Sequence, residues 1–287
     1  MKVATLFFVQ AVAAFVVHEP RTMTGSQLYS SSYFQDGMSR GVESGLDRPQ
    51  PDRYSAGPLS KARIPSSKNI WREESTTLIQ GNTLRTWPLS TSFVDAVQIS
   101  MATEGRPLNA NLELWQGPDY TPSSMKVYIE DGNLRPLNAI ILTPQASNTI
   151  AIYNTGNLEF PFFASVEEKI DPGLAAASNN PYDWSSPTTV QGGALKTFPF
   201  DPAVQSVQVM LNTDGRNLKA RIELMQGPNN DKQIVEFYSS DGMKRPIYLV
   251  IETPGTGNVV RVINQNTVEF PFTAYVGPYE VDARMED

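Results

Sequence analysis

The chain contains most of its length twice. Residues 80–166 recur at 190–276, and segments 97–166 and 207–276 align without a gap at an offset of 110, with about 28 of 70 positions identical. Self-similarity at that level makes two copies of one structural unit the starting point for any fold. Each copy, at about 90 residues, is long enough to bury a modest core. The repeat places one unit at 71–168 and the second at 184–279, with a linker at 169–183 and a short tail at 280–287.

Within each copy the apolar period is two. Val97, Ile99 and Met101 alternate with Gln98 and Ser100, Ala110, Leu112 and Leu114 with polar neighbours, and Ile150 and Ile152 with Ala151 and Tyr153. The second copy keeps the phase at Val207, Val209 and Leu211, at Ala220, Ile222 and Leu224, and at Val260 and Val262. Turn chemistry separates these runs: Glu104-Gly105 and Asp214-Gly215, Asp131-Gly132 and Asp241-Gly242, Gln116-Gly117-Pro118 and Gln226-Gly227-Pro228. Short half-buried strands with regular turns define an all-β sandwich or barrel. The expected fold is therefore two tandem homologous β-sandwich domains, with about seven strands per copy and no long amphipathic helix in either copy. The linker, with Pro172, Gly173 and Pro181, holds too short an alanine run to be a helix alone.

The chemistry that such a scaffold carries is bounded by what the composition lacks. There is no Cys, and the single His, His18, precedes both copies, which removes thiolate ligands, thiol nucleophiles and His-based triads from the repeats. A formal charge of -7 without a Lys/Arg cluster argues against nucleic acid. Three acids recur in both copies, Glu113/Glu223, Asp131/Asp241 and Glu159/Glu269. A glycosidase needs two carboxylates across one cleft; turn and surface acids partnered by Arg106/Arg216 or Arg135/Arg245 are the plainer reading. Recurrent amides, Asn148/Asn258, Asn154/Asn264 and Gln116/Gln226, with Trp87, Trp115 or Tyr153 as platforms, suit a sugar site or equally suit loop caps that bond local backbone. Neither Asp-Gly turn continues as a calcium loop, so no metal and no cofactor is expected.

Surfaces are the other place to look. Trp115/Met225 and Tyr153/Ile263 fall on outward positions at equivalent places, as a contact surface or, after a strand bulge, as inward packing. Glu159-Phe160-Pro161-Phe162 recurs as Glu269-Phe270-Pro271-Phe272, and proline in a strand-like run belongs on an edge, at a bulge or at the strand's first residue, which makes this segment a candidate edge strand, either offered to another chain or blunted against it. Phe160 and Phe270 therefore join the candidate interface.

The first 70 residues read as targeting sequence. Lys2 precedes an apolar run at 3–17, with a small-residue cleavage site before Phe15, which defines a signal peptide at 1–14. Residues 15–70 combine a Ser/Thr/Arg-rich, acid-poor transit segment with a Pro/Gly/Ser-rich arm, and no transmembrane segment is expected in the mature protein. The Ala14-Phe15 junction resembles the bipartite presequences of algae with secondary plastids.

The paired motifs, Asp214-Gly215-Arg216, residues 222–228, Asp241-Gly242 with Arg245-Pro246, residues 252–255, residues 258–261 and Glu269-Phe270-Pro271-Phe272, each with a first-copy counterpart, resemble the pyrenoid shell proteins of diatoms and related algae across about 75–280. The resemblance implies a non-enzymatic chloroplast protein at the pyrenoid periphery. It would associate with itself into a homo-oligomeric sheet around Rubisco or pyrenoid matrix proteins and support CO2 fixation. The alternative is a tandem carbohydrate-binding, lectin-like sandwich.

Overall fold

The computed structural model describes residues 75–282 apart from Gln145 and Asn229. All of them belong to one compact unit, Ala56–Asp287. The signal peptide at 1–14, the transit segment and arm at 15–70, and residues 283–287 of the tail lie outside the described residues.

Alternating sequence becomes sixteen strands, eight from each copy. The first copy forms β1 (Thr77–Ile79), β2 (Leu84–Pro88), β3 (Ala96–Ala102), β4 (Leu108–Gln116), β5 (Ser123–Ile129), β6 (Leu137–Leu142), β7 (Asn148–Asn154) and β8 (Phe162–Glu167). The second forms β9 (Thr188–Val190), β10 (Leu195–Pro199), β11 (Val204–Asn212), β12 (Leu218–Gln226), β13 (Asp231–Ser239), β14 (Ile247–Glu252), β15 (Asn258–Asn264) and β16 (Phe272–Val281). Seven strands per copy was one too few, because the three residues of β1 and β9 are too short to show a period. The linker is not helix-free either. Helix α1 (Pro172–Asn179) starts at Asp171, whose carboxylate accepts from the backbone N–H groups of Gly173 and Leu174.

The strands order as β1-β8-β3-β6-β14-β11-β16-β9 in sheet I and β10-β15-β12-β13-β5-β4-β7-β2 in sheet II. Each copy contributes four strands to each sheet, in the double-sheet jelly-roll arrangement. The copies are not free-standing sandwiches: β6 pairs with β14 and β5 with β13, so both sheets run through the repeat boundary. A pseudo-two-fold passes through that joint. Lys126 stands opposite Glu236, and Ala139 opposite Leu249, each facing its own counterpart 110 positions on. The inward residues of both copies accordingly form one continuous core, from Ile79 and Val97 through Val127 and Val235 to Val262 and Phe272.

The two outer faces differ. Across sheet I runs the linker, with Leu174 packed on Ile140, Tyr248 and Val250, and with Trp184 set edge-on to Tyr248 and Tyr275. Sheet II instead presents Tyr128, Tyr153 and Tyr238 to solvent. Among the described residues no helix is long and apolar enough to cross a membrane.

Candidate functional site: matched patches at the two ends of sheet II

The recurrent acids and amides resolve first. Asp131 Oδ1 accepts from the N–H groups of Asn133 and Leu134, and Asp241 Oδ1 from those of Met243 and Lys244, so both close their own turns. The Asp-Gly glycines are needed for close approach: a Cβ on Gly132 or Gly242 would lie 2.6 Å from the hydroxyl of Thr103 or Thr213. Asn148 and Asn258 donate to carbonyls of the loop before them, while Asn154 and Asn264 donate to the carbonyls of Phe160 and Phe270 and to the edge strands at Ile79 and Val190. These amides are buried loop caps. They line no sugar site.

The side chains of the recurrent arginines hydrogen-bond elsewhere than to the recurrent carboxylates. Arg106 and Arg216 donate to the backbone carbonyls of Glu159 and Glu269 at 2.6 Å. Arg135 donates to Gln226 and Arg245 to Gln116, two matching clasps that each tie one copy to the other. Burial pulls the Arg135 guanidinium below the usual arginine range, against the opposing pull of Glu130 and Asp131.

Glu113 and Glu223 lie on the outer face of sheet II, in different company. Glu113 accepts from Trp115 Nε1 at 2.8 Å. Glu223 is only 5% exposed and sits between Arg221, at 2.5 Å, and Arg261, at 3.3 Å. Arg221 in turn reaches Glu236 at 2.8 Å. Burial lowers Arg221, but the hydrogen bonds to Glu223 and Glu236 outweigh it and the net shift is upward. Among the described residues no group of three metal-ligating side chains forms.

Four of the six candidate interface residues fall into two matched patches. At one end of sheet II, Tyr153 on β7 pairs with exposed Leu84 on the edge strand β2, and half-buried Trp115 faces Thr149 on the same outer face. At the other end, Ile263 on β15 pairs with exposed Leu195 on the edge strand β10, and Met225 faces Val259. The second patch is a shallow depression lined by Leu195, Thr197, Met225, Val259 and Arg261. Met225 is buried, with its sulfur against Arg261. Leu84 and Leu195 were missed in the sequence, although they hold the same place in the matching runs Leu84–Pro88 and Leu195–Pro199.

Phe160 and Phe270 stand elsewhere, half-buried in the β7–β8 and β15–β16 turns, with Arg216 lying 5.9 Å from the Phe270 ring centre. The expected edge strand there does not form. Pro161 and Pro271 precede β8 and β16, which are interior strands, and Phe162 and Phe272 point into the core. The true edges are β1 and β9 in sheet I and β2 and β10 in sheet II. The same turns expose Leu158 and Val268, at 72% and 73%.

The fold is a double jelly roll with both sheets shared between the copies and an apolar patch at each end of sheet II. The model of the diatom pyrenoid shell protein family matches residues 71–278, and the chain belongs to that family. A search of curated proteins finds no match. Among solved structures, tomato (Solanum lycopersicum) vicilin is 10% identical, with 74% of this chain and 79% of that one covered at a TM-score of 0.19. Procruciferin, an 11S globulin from Brassica napus, is 10% identical over 71% and 77%, at 0.21. Likeness at these scores carries no argument.

Proposed function

We propose that the protein is a non-enzymatic structural component that self-assembles, copy against copy, into a proteinaceous sheet around the Rubisco-containing pyrenoid of the chloroplast, and so supports CO2 fixation. The observation that carries the assembly reading is the pair of patches built around Leu84 and Leu195 at opposite ends of one continuous sheet. A surface present at both ends of a rigid body meets neighbours on two sides, and contacts that do not close on themselves extend into an open lattice. Membership of a shell family supports the pyrenoid setting.

Electron microscopy of the purified protein tests the assembly. Sheets or tubes are expected for the native chain. The double variant Leu84→Asp/Leu195→Asp should leave dispersed particles with the melting temperature unchanged, since both side chains are exposed. Dispersed native protein at every salt and protein concentration would overturn the reading. A fluorescent fusion should form a ring around the pyrenoid.

A further inference from the structure

The most exposed large apolar side chain among the described residues is Phe93, at 77%, in the loop between β2 and β3. That loop is tied down on both sides of it. The Leu89 N–H donates to the Asn148 carbonyl, and the Ser90 N–H and hydroxyl both donate to the Glu168 carboxylate. On the other side Thr143 donates through its N–H to the Asp95 carbonyl and through its hydroxyl to the Val94 carbonyl. The residue 110 positions on is Ala203, which is only 6% exposed, so the projection belongs to one end of the molecule alone.

The recess over Met225 belongs to the other end. It measures about 470 Å³, ample for a phenyl ring, and its lining carries Arg261 and no acid, with exposed Lys196 between Leu195 and Thr197 on the edge strand. The Phe93 loop has the opposite sign: residues 89–95 hold exposed Asp95 and no cation, and Glu168 is fixed against Ser90. Sheet order sets the two features level. Every pairing in sheet II is antiparallel, so β10 and β2, the first and eighth of its eight strands, run in opposite directions. The end of β2, where the Phe93 loop departs, therefore lies at the same rim as the start of β10 at Leu195. Copies set side by side without turning bring the loop of one to the recess of the next.

We propose that Phe93 of one copy seats in the recess lined by Leu195, Thr197, Met225 and Val259 of a second copy, with Asp95 and Glu168 set against Lys196 and Arg261. This rests on the self-assembly proposed above and adds to it the side chain that joins neighbours. The occupant is another copy because, within one chain, the two features stand at opposite edges of eight strands, about 34 Å apart at about 4.8 Å per strand. An aromatic anchor filling a pocket is where the binding energy of a contact concentrates, and opposite charges around it fix the register.

The chain has no Cys, so introduced ones report without background. A Ser92→Cys chain and a Thr197→Cys chain, assembled together and mildly oxidised, should give a disulfide-linked dimer of one copy of each, since the bond needs Cα atoms within about 7 Å. Neither chain assembled alone should give one. Phe93→Ser should raise the protein concentration at which sheets first form by at least about tenfold with the melting temperature unchanged, while Phe93→Leu should stay within about threefold of the native chain. Sheets that form without the mixed cross-link, or as readily in Phe93→Ser, overturn this inference and leave self-assembly standing. A native chain that forms no sheets at any salt or protein concentration overturns both.

Discussion

Opposite its repeat counterpart, a residue meets what a symmetric dimer would force to be itself. At the sheet II joint that position holds Lys126 against Glu236, a pairing that two identical chains cannot make. Opposite charges across an antiparallel pair contribute roughly 0.2–1 kcal/mol, and like charges cost a similar amount. Duplication within one chain therefore allowed the joint to become asymmetric where symmetry was costly. The same divergence sets Glu223 between Arg221 and Arg261, where the first copy has Glu113 with Asn111 and Ala151. Glu223→Gln leaves two guanidiniums packed together with their shared carboxylate gone. Because both arginines are partly solvated, the expected loss is about 1–3 kcal/mol rather than the larger cost of a fully buried charge. Glu113→Gln should cost under about 0.5 kcal/mol, as for an ordinary surface change. Urea unfolding midpoints of the two variants check the contrast, and equal shifts would contradict it.

Among the elements, what was legible in the sequence is what is local. Period-two alternation located Val97, Ile99 and Met101 and their counterparts on the core side, and the Asp-Gly turns fell where Asp131 and Asp241 cap them. The joint was illegible, because β5 and β13 meet through residues 110 apart and nothing in either strand marks its partner. The phase of Leu84 and Leu195 was equally local, yet which strands are edges is a property of the whole sheet order. Helix α1 was missed although Asp171-Pro172 is a good start signal, since eight residues do not hold a helix in water; burial of Leu174 against Ile140 and Tyr248 supplies the stability. A copy expressed alone, from residue 168 to 282, would bare β13 and β14. It should dimerise through them, with Glu236 facing its own image, so the dimer should tighten in Glu236→Gln when measured by light scattering. The linker packed across sheet I also gives the fold an alkaline limit. Burial pushes the Tyr248 phenol well above the tyrosine range, while burial and then Tyr182 push Tyr275 up to about 12. Unfolded tyrosines ionise near 10, so the contribution of these two phenols is complete below pH 10 and is lost as pH rises through the folded values. Unfolding followed from pH 9 to 12 should show that loss, and Tyr248→Phe should flatten it.

For the molecule as a whole, the two ends of sheet II are similar without being identical, and that difference decides what kind of contact they form. One end offers Trp115 and Tyr153 beside Leu84; the other offers a depression over Met225 with Ile263 beside Leu195. An aromatic end and a recessed aliphatic end suit each other better than either suits itself, so the proposed lattice contact is head to tail, a geometry that extends into an open assembly where its rotation does not close into a ring. Single variants separate the two possibilities. If the ends meet head to tail, Leu84→Asp alone and Leu195→Asp alone each leave one working end with no partner, and each variant stays monomeric along this axis. An equimolar mixture of the two should then form a dimer of one copy of each, because the intact recessed end of the first meets the intact aromatic end of the second. If like ends met instead, each variant would dimerise by itself and the mixture would add nothing. Native mass spectrometry of the two proteins, one of them isotope-labelled, distinguishes these outcomes, and a labelled–unlabelled dimer found only in the mixture is the expected result.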